Sequence, residues 1–484
     1  MALGFAGFEI AKSGMAYSER ALSVTGHNIA NVNTKGYARQ QAISSTGPYY
    51  KSQGYQFGLG ASIQDLRQIR NQFLDNIYRK ESTALGYWET RNKTFEDIQA
   101  ILGDPMESGL QEVMNQFWDS WQELSKEPDS LTVRALVCKR GEALVEQINH
   151  LGAQFDKLQK DLNSEIIVRI EEINDITKQI AVLNTEILKV EISKDSANDY
   201  RDQRNLLLDR LCKLANVEVS EMQDGQLDIT LGGYFLVTKG KQTNLVADQG
   251  ETSGMFVVPK LAGTEIEVPI KSGILKGLLE SRGEVFDATG GIPDDTTDIL
   301  PDLIKRFNLL VGELTEEVNI LHKSGQTLGP PAEPGEDFFV RINEERDFLM
   351  GNIKLNDNLI NLNNVVASKS GASGDNTIAI AIANIRGMKC IDDIKGKLSV
   401  DEYYQSIILK VGAGGFEARG ITESQSKLVE SADFQRQSIM GVSMDEEVSN
   451  MMKYKFSYSA ASRAINVIDD MFDTIISRMG LVGR

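Results

Sequence analysis

The two ends of this chain carry helical stripes that no nearby segment can bury, and this constrains the fold more than any other feature. Near the C-terminus, Met444, Met451, Tyr454, Tyr458, Ala461, Ile465, Ile468, Phe472, Ile475, Met479 and Val482 recur at alternating three- and four-residue steps. Near the N-terminus, Phe8, Ala11, Met15, Leu22 and Ile29 follow the same repeat, with Ser18 and Thr25 in its weaker positions. A 3.5-residue period places such side chains on one seam, the pattern of helices that pack lengthwise on other helices. Most of the chain lies between the two stripes. It is expected to go out and come back, leaving its termini side by side, and apolar extremities of this kind suit assembly better than turnover.

The first helix is expected from about Leu3 to Ile29. It stops where Asn28, Asn31 and Asn33 accumulate, because Asn tolerates the left-handed backbone that closes helices, and Gly36 offers another such position. The Gly-, Ser- and Tyr-rich text from Ile43 to Ile69 reads as short strands and turns. A long helical tract follows from about Asn71 to Val190. It is punctuated at Gly103-Asp104-Pro105 and Glu127-Pro128-Asp129, with Asp129 or Ser130 placed to cap the next helix. Its last part carries Ile173, Ile176, Ile180, Leu183, Ile187 and Val190 on one seam, and a shorter helix covers Tyr200 to Leu214.

The period then becomes two, at Val217 and Val219, at Leu227, Ile229 and Leu231, and from Tyr234 to Val237, with turns at Asp224-Gly225 and Gly232-Gly233. Helix returns from Leu300 to Lys323, with Leu303, Phe307, Leu310, Leu314, Val318 and Leu321 on one face. Gly329 to Gly335 reads as a stiff exposed loop, and Asp375–Ile385 and Ser399–Val411 as helices. Ser399-Val400-Asp401-Glu402 and Ser443-Met444-Asp445-Glu446 have the form of capping boxes. The expected fold is mainly α with a β-rich insertion. Residues 1–50 and 436–484 are expected to form a terminal coiled-coil domain, 51–215 and 271–435 an elongated helical bundle, and 216–270 a small β domain.

At 484 residues the chain exceeds one ordinary core. Its net charge of −18 argues against nucleic-acid or anionic-membrane partners, and no apolar run approaches the length of a membrane span, so no membrane insertion is expected. The start lacks a basic leading region and carries Glu9 within its apolar stretch, so it is not expected to act as a secretory signal. Cys138, Cys212 and Cys390 show neither metal spacing nor a disulfide framework and read as buried free thiols.

Chemistry finds no foothold. His27, His150 and His322 are not paired with any nucleophile, and the 69 acidic residues are scattered. Neither Gly58-Leu59-Gly60 nor Gly412-Ala413-Gly414-Gly415 completes a phosphate loop. Asp224-Gly225-Gln226-Leu227-Asp228 lacks the remaining ligands of a calcium loop and reads as a hairpin turn. Asn92-Lys93-Thr94 is a formal glycosylation triplet inside a helix and carries no weight. No catalytic, metal or cofactor site is expected, and the chain is read as non-enzymatic.

One constellation rises above background. Asn28 to Gln40 combines a helix stop, an amide- and hydroxyl-rich turn and a bend at Gly36, then projects Tyr37 and Arg39 from the exit, with Asn31 and Thr34 in the turn. Ala30-Asn31-Val32-Asn33-Thr34-Lys35-Gly36-Tyr37-Ala38-Arg39 resembles the A-N-x-x-T-x-G-Y-x-R signature of bacterial flagellar axial proteins, the rod, hook and hook-associated components. Gly441-Val442-Ser443-Met444-Asp445-Glu446-Glu447, running on to Tyr458-Ser459-Ala460-Ala461-Ser462-Arg463, resembles the family's G-V-x-x-D-E-E … Y-x-A-x-A-R. Ser462 replaces the usual second Ala, and Lys455-Phe456 stands where paired glutamines are common. The interior texts Asp202–Leu211, Leu227–Thr230, Gly335–Phe339 and Gly374–Asn376 resemble the hook–filament junction branch of that family, so the resemblance covers essentially the whole chain.

That resemblance implies a structural subunit that connects hook to filament and is required for filament assembly. It implies self-association into a ring, contact with the hook protein on one side, and contact with a second junction protein and the filament on the other. It also implies passage through the flagellar type III export apparatus without a cleaved leader, an extracellular place on the flagellum, and an export chaperone covering the seam from Met451 to Met479. The terminal helices would line the axial tube, with the helical mid-section outside them and the β insertion outermost. Lys455, Glu447 and Ser18 mark where the seam looks least regular. Competing readings are another axial component (hook or distal rod), an exported coiled-coil adhesin, and a flagellum-borne hydrolase. They would show, respectively, a strand-dominated interior, surface repeats with a cleavable leader, and a clustered acid–base site.

Overall fold

Long helices dominate the computed structural model, which describes residues 2–52, 55–103, 109–193, 195–249, 256–283, 297–329, 331–393 and 396–478. The first, α1 (Ala2–Ala30), leads into two nested antiparallel hairpins. In these, β1 (Gln40–Thr46) pairs with β4 (Ala61–Gln68), and β2 (Tyr49–Ser52) with β3 (Tyr55–Gly58). The helical mid-section then runs through α2 (Gln72–Leu102), α3 (Leu110–Lys126), α4 (Leu131–Ile192) and α5 (Asn198–Leu214). A four-stranded antiparallel sheet follows in sequence order, β5 (Val217–Glu221), β6 (Leu227–Leu231), β7 (Tyr234–Thr238) and β8 (Lys241–Gln242), with β9 (Leu245–Gln249) and β10 (Val257–Leu261) as a separate pair. The return leg holds α6 (Ile274–Arg282), α7 (Ile299–Lys323), the strand pair β11 (Phe339–Arg341) and β12 (Ile353–Leu355), α8 (Thr377–Asn384), α9 (Val400–Met440) and α10 (Met444–Arg478).

The spine is α4, whose 62 residues span about 90 Å at the ordinary helical rise. Ile166, Ile170, Ile173, Ile176, Ile180 and Ile187 recur along its buried side. Asn184 is also wholly buried there, while Leu183 is only half-buried. Its amide pins the β sheet to the spine: Nδ2 donates to the Leu227 and Lys239 carbonyls at 2.8 and 2.6 Å, and Oδ1 accepts from the Leu227 N–H and from Arg204. Beside α4, an aromatic cluster knits α3 to the return leg. Phe117 and Trp121 meet Phe338 at ring separations of 6.0 and 5.5 Å, and Trp121 lies 6.5 Å from His322. His322 is fully buried, with Nε2 accepting from the Val366 N–H and Nδ1 2.5 Å from the Glu336 carbonyl. Burial lowers its pKa to about 4, so it is a neutral structural side chain.

Several expectations needed correction. Gly412–Gly415 lies inside α9, where a Cβ on Gly414 would fall 2.6 Å from Phe95 Cζ. The glycines allow α2 and α9 to approach closely, and the helix expected over Ser399–Val411 runs on through them to Met440. Ser399 forms its capping box with Glu402, but Ser130 occupies an N-cap position without a side-chain bond. In the second expected box, the Glu446 carboxylate pairs with Arg39 at 2.6 Å. Cys138 and Cys212 are buried and burial raises their thiols to about 11 and about 12, whereas Cys390 is half-exposed. The break at Asp104-Pro105 lies outside the described residues.

Phe338→Ala should remove ring contacts with both Phe117 and Trp121 and leave a cavity. We expect about 3–5 kcal/mol of destabilisation, read as a lowered denaturation midpoint of the full-length chain, with Phe338→Leu costing less.

Candidate assembly site

The termini do meet. α1 and α10 run antiparallel, with Gly7 opposite Ile468, Gly14 opposite Ala461, the Tyr17 ring edge-on to Tyr454 at 6.1 Å, and Asn28 bonded to Glu447 at 3.1 Å. On α10 the expected seam faces α1. Met451, Tyr454, Ala461, Ile465, Ile468 and Phe472 are half-buried, Tyr458 and Ile475 are 36% and 41% exposed at its margin, and Met479 and Val482 lie outside the described residues.

On α1 the expected stripe is met only in part: Ala11, Ser18 and Thr25 lie on the contact line, and its large members do not. Its most buried side chains are Ala11, Ser18, Ala21, Thr25 and Asn28, and Gly7 and Gly14 continue the same line. Phe8, Met15, Leu22 and Ile29 stand one position away and are half-buried. The cause is steric. α10 supplies the large side chains, so α1 must supply small ones if the backbones are to approach. A Cβ built on Gly14 would sit 3.9 Å from that of Ala461, and one on Gly7 would lie 3.5 Å from Ile468 Cδ1. Ser18 is tolerated there because its hydroxyl donates to the Gly14 carbonyl at 2.8 Å. Ser18 and Glu447, read as irregular points, are among the most buried residues of the pair, while Lys455 lies exposed, off the contact line. Of the two seven-residue series that make the line, Ala11-Ser18-Thr25 stood on the expected stripe, whereas Gly7-Gly14-Ala21-Asn28 is one that a search for large apolar residues passes over.

At the base of the pair, Asn28 organises a joint. Its Nδ2 donates to the Gln40 carbonyl (2.9 Å) and to Glu447 Oε2, and its Oδ1 accepts from the Gln40 N–H (3.0 Å) and the Tyr37 hydroxyl (2.8 Å). Tyr37 is buried, with its hydroxyl 3.1 Å from His27 Nδ1. Burial, then Asp199 and Asp202, raise its pKa far above the ordinary value and keep the hydroxyl a donor. Arg39 forks onto Glu446 and Glu447 at 2.6 and 2.7 Å, and its N–H donates to the Met440 carbonyl at the end of α9. Gly36, at φ +84°, makes the bend that turns the chain back over Leu206. Asn31 and Thr34 do not enter the joint. They bond locally, Asn31 to the His27 carbonyl and Thr34 to Asn31, and close the turn.

The joint continues into the mid-section as a line of buried ions. The Ala38 N–H donates to Asp202 Oδ2 at 3.0 Å, and Asp202 pairs with Arg70 at 3.3 Å. Arg70 holds Asp75 at 2.7 Å, Asp75 lies 3.7 Å from Arg436, and Arg436 and Arg79 both hold Asp209, at 2.5 and 2.8 Å. The Arg436 guanidinium also stacks 3.9 Å over Tyr78. Burial lifts Asp202 to about 7, against the lowering effects of the Ala38 N–H and Arg70. Sequence reading selected Tyr37 and Arg39 but not Asn28, Glu447, Asp202, Arg70 or Arg436, whose roles depend on partners hundreds of positions away.

These features define a class: a mainly helical subunit whose two ends close on one another at a buried joint. Known proteins place it further. Residues 95–339 match the model described as the flagellar hook-associated protein FlgK helical domain. Residues 8–37 match a flagella basal body rod protein model, and 435–478 match the C-terminal model of the flagellar basal body rod FlgEFG proteins. The chain is 30% identical to flagellar hook-associated protein 1 of Bacillus subtilis over 99% of both chains, and 23% identical to that of Escherichia coli over 96% of this chain and 98% of the other. The solved structure of the flagellar hook junction protein FlgK from Burkholderia pseudomallei shares the fold, with a TM-score of 0.63 and 14% identity, covering 75% of this chain and all of that one. The chain belongs to the flagellar hook-associated protein 1 (FlgK) family.

Two predictions follow from the geometry. The Gly14–Ala461 approach falls within disulfide range, so Gly14→Cys with Ala461→Cys should form an intramolecular crosslink under mild oxidation, visible as a mobility shift on non-reducing gels. Met15→Cys with Ala461→Cys should not. For Asp202, the folded state holds its proton more tightly than the unfolded chain, so its contribution to stability falls as pH rises from about 4 to about 7. His322 contributes the opposite slope, since burial lowers its pKa, and this cancels when variant and wild type are compared. The melting temperature of Asp202→Asn relative to wild type should therefore rise between pH 4.5 and 7, and a constant difference would refute the assignment.

Proposed function

We propose that this chain is the structural subunit that joins the hook to the filament of a bacterial flagellum, working by assembly and not by catalysis. The observation that carries this reading is the combination on one chain of a FlgK helical-domain interior with two ends that match axial rod models. Membership of a structural flagellar family supports the non-enzymatic part, and no helix among the described residues is long and apolar enough to cross a membrane.

In this reading the division into a terminal pair (1–50 and 436–484), a helical body (51–215 and 271–435) and a β insertion (216–270) is functional. The terminal pair enters the axial tube, the body and insertion surround it, and copies close into a ring between the hook protein and a second junction protein that leads to the filament. Phe8, Met15, Leu22 and Ile29, left half-buried on the flank of α1, suit contacts to neighbouring subunits. The subunit reaches its extracellular site through the flagellar type III export apparatus, with a chaperone covering the C-terminal stripe beforehand. A helix pair whose large side chains meet mostly small ones across a thin seam gains much of its stability from such outside packing.

Deleting the gene should leave complete hooks while unpolymerised flagellin appears in the medium, with motility restored by the intact gene. Normal filaments on the deletion strain would refute the junction role.

A further inference from the structure

The terminal unit, α1 with β1–β4 and α10, sits on the body without sharing its core: among the described residues, the buried apolar cluster of the body takes in no residue of these elements. The side-chain hydrogen bonds between the two parts converge on the start of α5. The Ser196 hydroxyl donates to Asp65 at 2.8 Å, and Asn198 both donates to the Leu66 carbonyl at 2.6 Å and accepts from Gln68 at 2.7 Å. Asp199 accepts from Gln40 at 2.8 Å, and Asp202 from the Ala38 N–H. Open clefts flank this clamp, one of about 920 Å³ bordered by β4 and β5, and one of about 220 Å³ lined by His27, Tyr37, Asp199, Asp202 and Leu206.

One tie in the clamp is left open. His27 lies in the last turn of α1 and Asp199 in the first turn of α5, where a cation and an anion respectively suit the helix ends. Yet His27 Nε2 stops 3.7 Å from Asp199 Oδ2, beyond hydrogen-bond length. The cause lies behind the ring. The Tyr37 hydroxyl donates its one proton to Asn28 Oδ1, so towards His27 Nδ1 it can only accept, and Nδ1 must carry the ring proton. Neutral His27 therefore turns a lone pair, not an N–H, towards the carboxylate. The charged groups around the ring are Asp199 and Asp202 of α5, Lys35 of the turn and, beyond Asn28, Glu447 of α10. Asp202 acts in the same direction. Docking buries its carboxylate and lifts it to about 7, whereas a hydrated carboxyl ionises near ~4. Attachment thus weakens as pH rises from about 4 to about 7.

We propose that the joint is a proton-operated clasp. Protonated at Nε2, His27 gains the donor it lacks and fastens the end of α1 to Asp199, while loss of charge on Asp202 relieves the site beneath Ala38. In alkaline medium both changes reverse. The terminal unit is then held less tightly on the body, with room on either flank to tilt. The clasp belongs to the single subunit and does not depend on the junction reading.

Spin labels on Arg20→Cys of α1 and Lys80→Cys of α2, both exposed sites, report distances across the joint of the full-length chain in a Cys390→Ser background. Double electron–electron resonance at pH 5.5 and 8.0 should show the narrow, docked distance gaining about fivefold over the broad, undocked one at the lower pH. Labels on Arg20→Cys and Lys455→Cys, neighbours in the antiparallel register of α1 and α10, should keep one distance throughout. His27→Gln and Asp199→Asn should each lose about half of the response. His27→Arg, a permanent cation, should hold the docked distance better than wild type at pH 8.0. Joining His27→Gln to Asp202→Asn should abolish the response. A wild-type chain with the same distance distribution at both pH values would overturn the proposal. So would a His27→Gln chain that responds like wild type, or α1 and α10 separating together with the joint, which would place the pH sensitivity within the terminal pair.

Discussion

A single buried amide holds the place where the chain returns to itself. Asn28 uses both of its donors and both acceptor positions, and they join α1, the first strand and α10. A buried amide or carboxylate left without partners costs about 1–3 kcal/mol or more. Any slippage of α1 along α10 would strand Asn28 and Glu447 together. Apolar seams tolerate sliding by a heptad, whereas a polar pair inside one does not. The register of the whole terminal pair therefore depends on this one contact, and Arg39 and Tyr37 are placed around it.

The division of labour between the two terminal helices follows from the same closeness. One helix contributes bulk and the other contributes absence of bulk. Because α1 spends its contact line on Gly7, Ala11, Gly14, Ser18 and Ala21, its large side chains remain on the flanks. Because α10 is thin-walled by its partner, its opposite face also stays apolar and open. A helix pair of this kind keeps large apolar side chains such as Met452 and Phe456 on its outside as well as in its seam, unlike an ordinary globular core.

Much of the fold was legible because its signals are local. Helical and two-residue periods, glycine turns at Gly225 and Gly232, and the Ser399 capping box all act within a few positions, and the structure follows them closely. The joint was legible only in part. Tyr37 and Arg39 announce themselves by residue type after a helix stop, but Asp202, Arg436 and Glu447 are ordinary charged residues until the topology assembles them. Half of the α1 contact line was legible, since Ala11, Ser18 and Thr25 stood on the expected repeat, but Gly7, Gly14, Ala21 and Asn28 were passed over in favour of their large neighbours. Ser18, Thr25 and Asn28 are buried for proximity, not for hydrophobicity. Asn184 was hidden in the same way among the isoleucines of α4.

The line of buried ions from Asp202 to Arg79 has a mechanical consequence. It sits at the fulcrum of a lever, since α1 reaches about 40 Å from the joint at helical rise. Rotation by a few degrees at the fulcrum would swing the far end by about 3 Å, comparable to the spacing of side-chain ridges on a packed helix. Buried guanidinium–carboxylate pairs have narrow angular tolerance. The stiffness of a handful of side chains at residue 39 thus sets how accurately residue 7 is aimed.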